Sequence, residues 1–165
     1  MHAVRVRGQH GATIVSSGGG NGQLGNGQSP GPQPTAPEMV QLWAVPATVS
    51  AGGAALTNVG TSQDLSGTPQ DGGFFTSVSS LKSNNVIIWA LTRPDGSTDP
   101  TGGHPMTLYA FSETLTGGKL TQLFKGLAGE WGPDSMGGNA NIVPVVANGR
   151  VYIATYKQLA ILGLN

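Results

Sequence analysis

"NIVPVVANGRVYIATYKQLAIL", residues 141–162, is the stretch whose reading decides the fold. It is rich in β-branched and aromatic residues, the types that fit a pleated, half-buried surface. A tight Asn-containing turn splits it, so it reads as short strands: NIVPVVA (141–147), RVYIAT (150–155) and QLAILGL (158–164). A β-rich run split in this way cannot bury its faces alone, because a small hairpin unit exposes as much apolar surface as it covers. Something earlier in the chain has to pack against it.

The same texture recurs upstream. MVQLWAV (39–45), AALTNVGTS (54–62), FFTSVSS (74–80), NVIIWALT (85–92), MTLYAFSE (106–113) and KLTQLFKG (119–126) are apolar runs separated by Gly, Asn, Pro or Asp. Each run is too short and too β-branched for a helix, and each gap carries a turn signal. The composition agrees. Of 165 residues only 10% are charged, while Gly reaches 27 and Pro 11, which suits short strands with many turns. An all-β fold with no helix beyond a single turn is expected.

The chain also repeats itself. Asn84-Asn85-Val86-Ile87-Ile88 aligns with Gly149-Arg150-Val151-Tyr152-Ile153 at an offset of 65, and TLYAF from Thr107 aligns with QLAIL from Gln158 at an offset of 51. The 14-residue difference is the loop TRPDGSTDPTGGHP, residues 92–105. Each copy holds an apolar strand, an Asn-containing turn, a second strand and a third, with connections short enough for antiparallel hairpins. One antiparallel sheet per repeat is the unit that a β-propeller stacks around an axis. The expected fold is therefore a partial β-propeller of about two to three four-stranded antiparallel blades.

PVVANGRVYIATYKQLAILGL closely resembles the final blade of quinoprotein-like β-propellers, the repeat family named after pyrroloquinoline-quinone enzymes. SVSSLKSNNVIIWAL with TLYAFSETLTGGKL resembles the preceding blade, and MVQLWAV through NVGTS part of the one before. The resemblance covers about residues 38–165 and implies the C-terminal blades of a longer propeller. It also implies an exported bacterial parent, periplasmic or extracellular, although residues 1–15 contain no apolar stretch of signal-peptide length. With neighbouring blades missing, apolar faces and strand edges are left open, so self-association or partner binding is expected.

The family's docking pattern, near A-x-D-x-x-x-G-K-x-x-W, is degenerate here. Ala110-Phe111-Ser112 and Gly118-Lys119 stand at its landmarks, with Ser112 in place of Asp and Phe124 near the Trp position. The resemblance implies that Phe124 supplies a buried ring between blades. It also implies, for enzymes of the family, a quinone held with calcium, carboxylates and often a paired-cysteine disulfide. This chain has no cysteine, and no acidic cluster maps onto such a calcium site. Asp95 and Asp99 read as members of a solvated turn, since calcium needs six to eight oxygens. No catalytic, cofactor-binding or metal-binding residue is assigned, and no cofactor is expected. An oxidoreductase built on the quinone and an extracellular module binding carbohydrate or protein through the loop from Thr92 to Pro105 remain the alternatives to a non-catalytic interaction scaffold.

Other constellations are weaker. His2, His10 and His104 are never paired at ligand spacing. GNGQLG (20–25) matches a dinucleotide fingerprint, but NGQSPGPQPTAP after it cannot form the helix that would hold a pyrophosphate. PDSMGG carries Pro133 where a nucleophile elbow needs Gly. Ser77, Ser79 and Ser80 read as strand residues that pair or face solvent. Trp89, Tyr109 and Tyr152 read as strand-packing aromatics, and Trp131, beside Glu130 and Asp134, as an anchor between blades. Eight basic and eight acidic residues cancel, so no field steers nucleic acid toward the chain, and no run reaches the ~18 apolar residues of a membrane helix. Residues 1–37 hold nine Gly and four Pro and form a separate low-complexity segment, expected to be flexible apart from a short strand over Ala12 to Val15.

Overall fold

A computed structural model describes residues 4–8, 11–18, 39–48, 53, 55–63, 65, 74–81, 84–92, 104–131 and 142–163. Among these, every regular element is a strand. Strands β1 (Val4–Gly8), β2 (Gly11–Gly18), β3 (Met39–Ala44) and β4 (Thr57–Thr61) form a first antiparallel meander. Strands β5 (Phe74–Leu81), β6 (Asn84–Thr92), β7 (His104–Thr116) and β8 (Lys119–Trp131) form a second. Strands β9 (Val145–Ala147), β10 (Arg150–Thr155) and β11 (Gln158–Gly163) form a third.

Turn chemistry sets these registers. Asn148 and Gly149 sit at φ 51° and 69° between paired Ala147 and Arg150, and Gly117 and Gly118 at 59° and 76° between paired Thr116 and Lys119. Two consecutive left-handed residues give a turn whose twist matches that of the flanking strands, which is why Asn and Gly occupy these positions.

The first two meanders join edge to edge in the order β1-β2-β3-β4-β8-β7-β6-β5, through one parallel contact of Thr61 with Lys119. At the opposite side the Ser17 hydroxyl accepts a hydrogen bond from the Phe74 N–H (3.0 Å) and donates to the Phe74 carbonyl (2.8 Å), drawing β2 onto β5. The sheet thus curls into a nearly closed, barrel-like wall. The third meander is a separate sheet.

Burial explains why β6 and β7 read as nearly unbroken apolar runs: both of their faces are covered. Ile88, Ala90, Tyr109 and Phe111 point inward and meet Val15 and Leu42 of the first meander. Trp89, Leu91, Leu108 and Ala110 point outward and meet Val151 and Ile153 of the third. Ile153 and Leu108 are fully buried, each contributing roughly 1.5–3 kcal/mol of transfer free energy.

The expected all-β architecture of two to three antiparallel units is therefore present. The closing run and its upstream echo lie face to face, β10 and β11 covering β6 and β7. Units one and two differ from a simple radial stack in sharing an edge as well as a core. The cause is local: Lys119 Nζ donates to Thr61 Oγ1 (2.9 Å) and the Ser62 carbonyl (3.2 Å), and the Thr61 N–H donates to the Gly118 carbonyl (3.2 Å). The strand expected over Ala12 to Val15 lies within the longer β2 and pairs with β1, because Thr13 and Val15 face the first core. Of the segment 1–37, residues 4–8 and 11–18 are β1 and β2 of the first meander, and the others lie outside the described residues, as do Asp95, Asp99, Asp134 and the GNGQLG match.

Candidate functional site

The third sheet has two apolar faces, and among the described residues only one is packed against another element. Val151 and Ile153 of β10, with Ala160 and Leu162 of β11, face the second core. On strands of period two the residues between them face the other way. Tyr152 is paired with Val145 on one side and Ile161 on the other, and Ala154 is paired with Leu159. These five side chains form a continuous apolar patch across three strands. Val145, Leu159 and Ile161 are 59%, 58% and 50% exposed, whereas Ile153 beside them is fully buried. Arg150, opposite Gly163, closes the patch at one end, and Lys157, lying 4.6 Å from the Tyr156 ring centroid, flanks the other.

Two contacts hold this sheet against the second meander. The Tyr156 N–H donates to the Glu130 carbonyl (2.7 Å), and Gly129 passes so close to Thr155 that an added Cβ would lie 2.6 Å from Cγ2. Gly129 also sits at φ 102°, a region that only glycine populates readily. Trp131, at the end of β8, is buried in the core that also holds Val151 and Ile153 of the third sheet, and it stacks on Phe75 of its own meander with ring centroids 6.0 Å apart.

The remaining sequence-derived candidates separate clearly. Trp89 is core and its indole N–H donates to Ser79 Oγ (2.8 Å); Ser80 is exposed, and Ser77 Oγ is buried without a partner. Tyr109 is core, stacked on Phe111 at 6.0 Å with the Lys125 ammonium 5.5 Å from its ring. Tyr152 is the exception among the three aromatics, half-buried and turned to the open face. Phe124 is not the buried ring that the docking pattern implies. It is 40% exposed, on the outer face beside Ala110, and it folds back over the Gly126 backbone. Lys119 of the same pattern does have a docking role, clasping the first meander. His104 begins β7, Glu130 is exposed, and His2 and His10 lie outside the described residues.

Sequence reasoning missed Ser17, Ser62 and Gly129. Ser62 is fully buried, its hydroxyl accepting from the Val40 N–H (3.0 Å) and donating to the Gln63 carbonyl (2.7 Å). Among the described residues no three His, Asp or Glu side chains gather into a metal-binding group, and no helix is long and apolar enough to cross a membrane. Compared with protein-family models, curated proteins and solved structures, the chain matches none.

Proposed function

We propose that this chain is a propeller-like β scaffold that works as an interaction surface and carries no catalytic centre of its own. The observation that supports this reading is the open face of the third sheet. Val145, Tyr152, Ala154, Leu159 and Ile161 form an apolar row on the side opposite the second core. Contiguous apolar surface of this kind, rimmed by Arg150 and Lys157, is where proteins bind other proteins. The same reading takes the quinoprotein-like repeat as the architecture's origin and an exported parent protein as its setting. The offset of 65 between Val86 and Val151 supports this, since it relates two strands that lie in successive stacked units.

The test compares the chain with a Val145→Lys/Leu159→Lys variant, immobilised and exposed to extract from its source cell. Proteins retained by the original and lost by the variant, with the β-sheet circular dichroism unchanged, are the expected result. Equal retention refutes the surface. A second arm adds calcium and pyrroloquinoline quinone to the isolated chain with alcohols and sugars. No turnover is expected, and measurable oxidation would transfer the reading to the enzyme alternative.

A further inference from the structure

Among the described residues the two sheets end in four outer strands, and three of these edges are guarded. β1 carries two arginines in five residues, VRVRG. β5 is clasped by Ser17 and shifts register between Ser79 and Leu81. β9 has three residues and follows the buried Pro144. Beyond Lys119, β8 is also interrupted, with three register shifts against β7. Short length, charge, proline and bulges are the devices by which proteins prevent edge-to-edge pairing. β11 has none of them. Its sequence is QLAILG, and it pairs with β10 over six consecutive residues without a shift.

The hairpin register shows which groups that edge presents. Thr155 and Gln158 flank a two-residue turn, so they form a pair that exchanges both backbone hydrogen bonds. Residues 158, 160 and 162 therefore bond to β10, and the N–H and C=O of Leu159 and Ile161 aim away from it. Among the described residues nothing pairs with them.

We infer that this edge is a self-pairing site, at which β11 of a second copy adds antiparallel to β11 across a two-fold axis. The inference rests on the interaction-surface reading and names the partner. The edge is self-complementary in three respects. Setting Leu159 of one copy against Ile161 of the other uses all the outward N–H and C=O groups of both residues. It places two exposed apolar side chains opposite each other on the open face, where cross-strand pairs stabilise a sheet. It puts Ala160 on the axis, in a non-hydrogen-bonded pair where side chains approach most closely and a small residue fits. Lys157 then faces Gly163, so no like charges are opposed. An isologous contact of this type closes after two copies, giving a dimer with a continuous six-stranded sheet and no fibre.

Sedimentation of the full chain over a wide concentration range is the primary measurement, with amide hydrogen exchange on the same samples. The expected result is a concentration-dependent rise from 16.7 kDa to twice that mass. Protection should grow at Leu159 and Ile161 as the dimer forms, while Ala160 and Leu162 stay protected throughout. Ile161→Pro removes an outward N–H without touching the bonds to β10, and should weaken dimerisation at least tenfold with the circular dichroism retained. Val145→Lys, on the same face but two strands away, should change it less than threefold. The unmodified chain decides the matter if the proline variant fails to fold. A monomer at all concentrations, a dimer whose 159 and 161 amides stay exchangeable, or a Val145→Lys effect as large as that of Ile161→Pro would each overturn the inference. A monomer that still captures other proteins through the open face would leave the interaction-surface reading intact and remove only the second copy.

Discussion

Gly129→Ala is the most informative single change for the architecture, because it tests the close approach of the third sheet to β8. Two penalties are built into the site. At φ 102° an alanine is held in a sparsely populated backbone region, which costs about 1–3 kcal/mol. The new Cβ also meets Thr155 at 2.6 Å from Cγ2 and 3.0 Å from both Cβ and Oγ1. Thr155 is stiff at χ1, and its hydroxyl donates to the Gln158 carbonyl at 3.2 Å, so turning it away sacrifices that bond at about 1 kcal/mol. Loss of glycine entropy in the unfolded chain returns about 0.4–1 kcal/mol. The net destabilisation expected is about 1–3 kcal/mol.

Urea unfolding followed by tryptophan fluorescence suits this test, since Trp89 and Trp131 both lie in the core that the third sheet covers. With a slope of about 2 kcal/mol per molar urea, the midpoint should fall by roughly 0.5–1.5 M. Thr155→Ala provides the control, because it removes Cγ2 and leaves the φ penalty in place. A double-mutant cycle of the two changes should show coupling of at least about 0.5 kcal/mol, the double variant losing less than the sum. A Gly129→Ala protein as stable as the original, or a cycle without coupling, would show that β8 and the hairpin do not meet in this way.

Three further outcomes follow from the same geometry. Ile153→Ala should cost about 2–5 kcal/mol in the same unfolding assay, whereas Ile161→Ala, on the opposite face of the hairpin, should cost under about 1 kcal/mol at concentrations where the chain is monomeric. Ser17→Ala should destabilise by about 1–3 kcal/mol and speed hydrogen exchange at the Phe74 amide, which loses its acceptor at the barrel seam. Lys119→Met should cost about 1 kcal/mol, a small effect because the ammonium is exposed, read as a lower thermal midpoint.

What the sequence displays and what it hides divide along physical lines. Strands and hairpin turns were legible because Asn148-Gly149 and Gly117-Gly118 punctuate β-branched runs, and backbone conformation depends on those few residues. The pairing of units was legible too, because Val86–Leu91 of β6 and Leu108–Phe111 of β7 are unbroken apolar runs, which a sheet covered on both sides tolerates best. Which face of β10 goes inward was not legible. Val151 and Ile153 alternate with Tyr152 and Ala154, so both faces are apolar and period two gives no sign. Phe124 misled for a related reason: its place in a docking pattern says nothing of how far the third sheet reaches along β8. The clasps were invisible. Ser17, Ser62 and Lys119 are ordinary polar residues in sequence and act only through partners 57, 22 and 58 positions away. Gly129 is one of 27 glycines, and only its φ sets it apart.

The open face and the unguarded edge belong to one energetic argument. Leu159 and Ile161 have each already buried about half of their area, so covering the remainder gains roughly 1 kcal/mol apiece, about 2 per copy. Association costs at least about 4 kcal/mol in lost translational and rotational freedom. The apolar row alone is therefore too small to hold a second body. The backbone groups of Leu159 and Ile161 change the balance, since each hydrogen bond across an added strand contributes about 0.5–1.5 kcal/mol and fixes the register at which the side chains meet. Neither feature suffices without the other, and the two contributions fail differently. Blocking the edge removes the register and every hydrogen bond together. A charge at Val145, two strands from that edge, leaves the register, the hydrogen bonds and the contact of Leu159 with Ile161 in place. A proline at Ile161 should therefore weaken dimerisation at least tenfold, while a lysine at Val145 should change it less than threefold, and the reverse ranking would mean that the face is the contact and the free edge incidental.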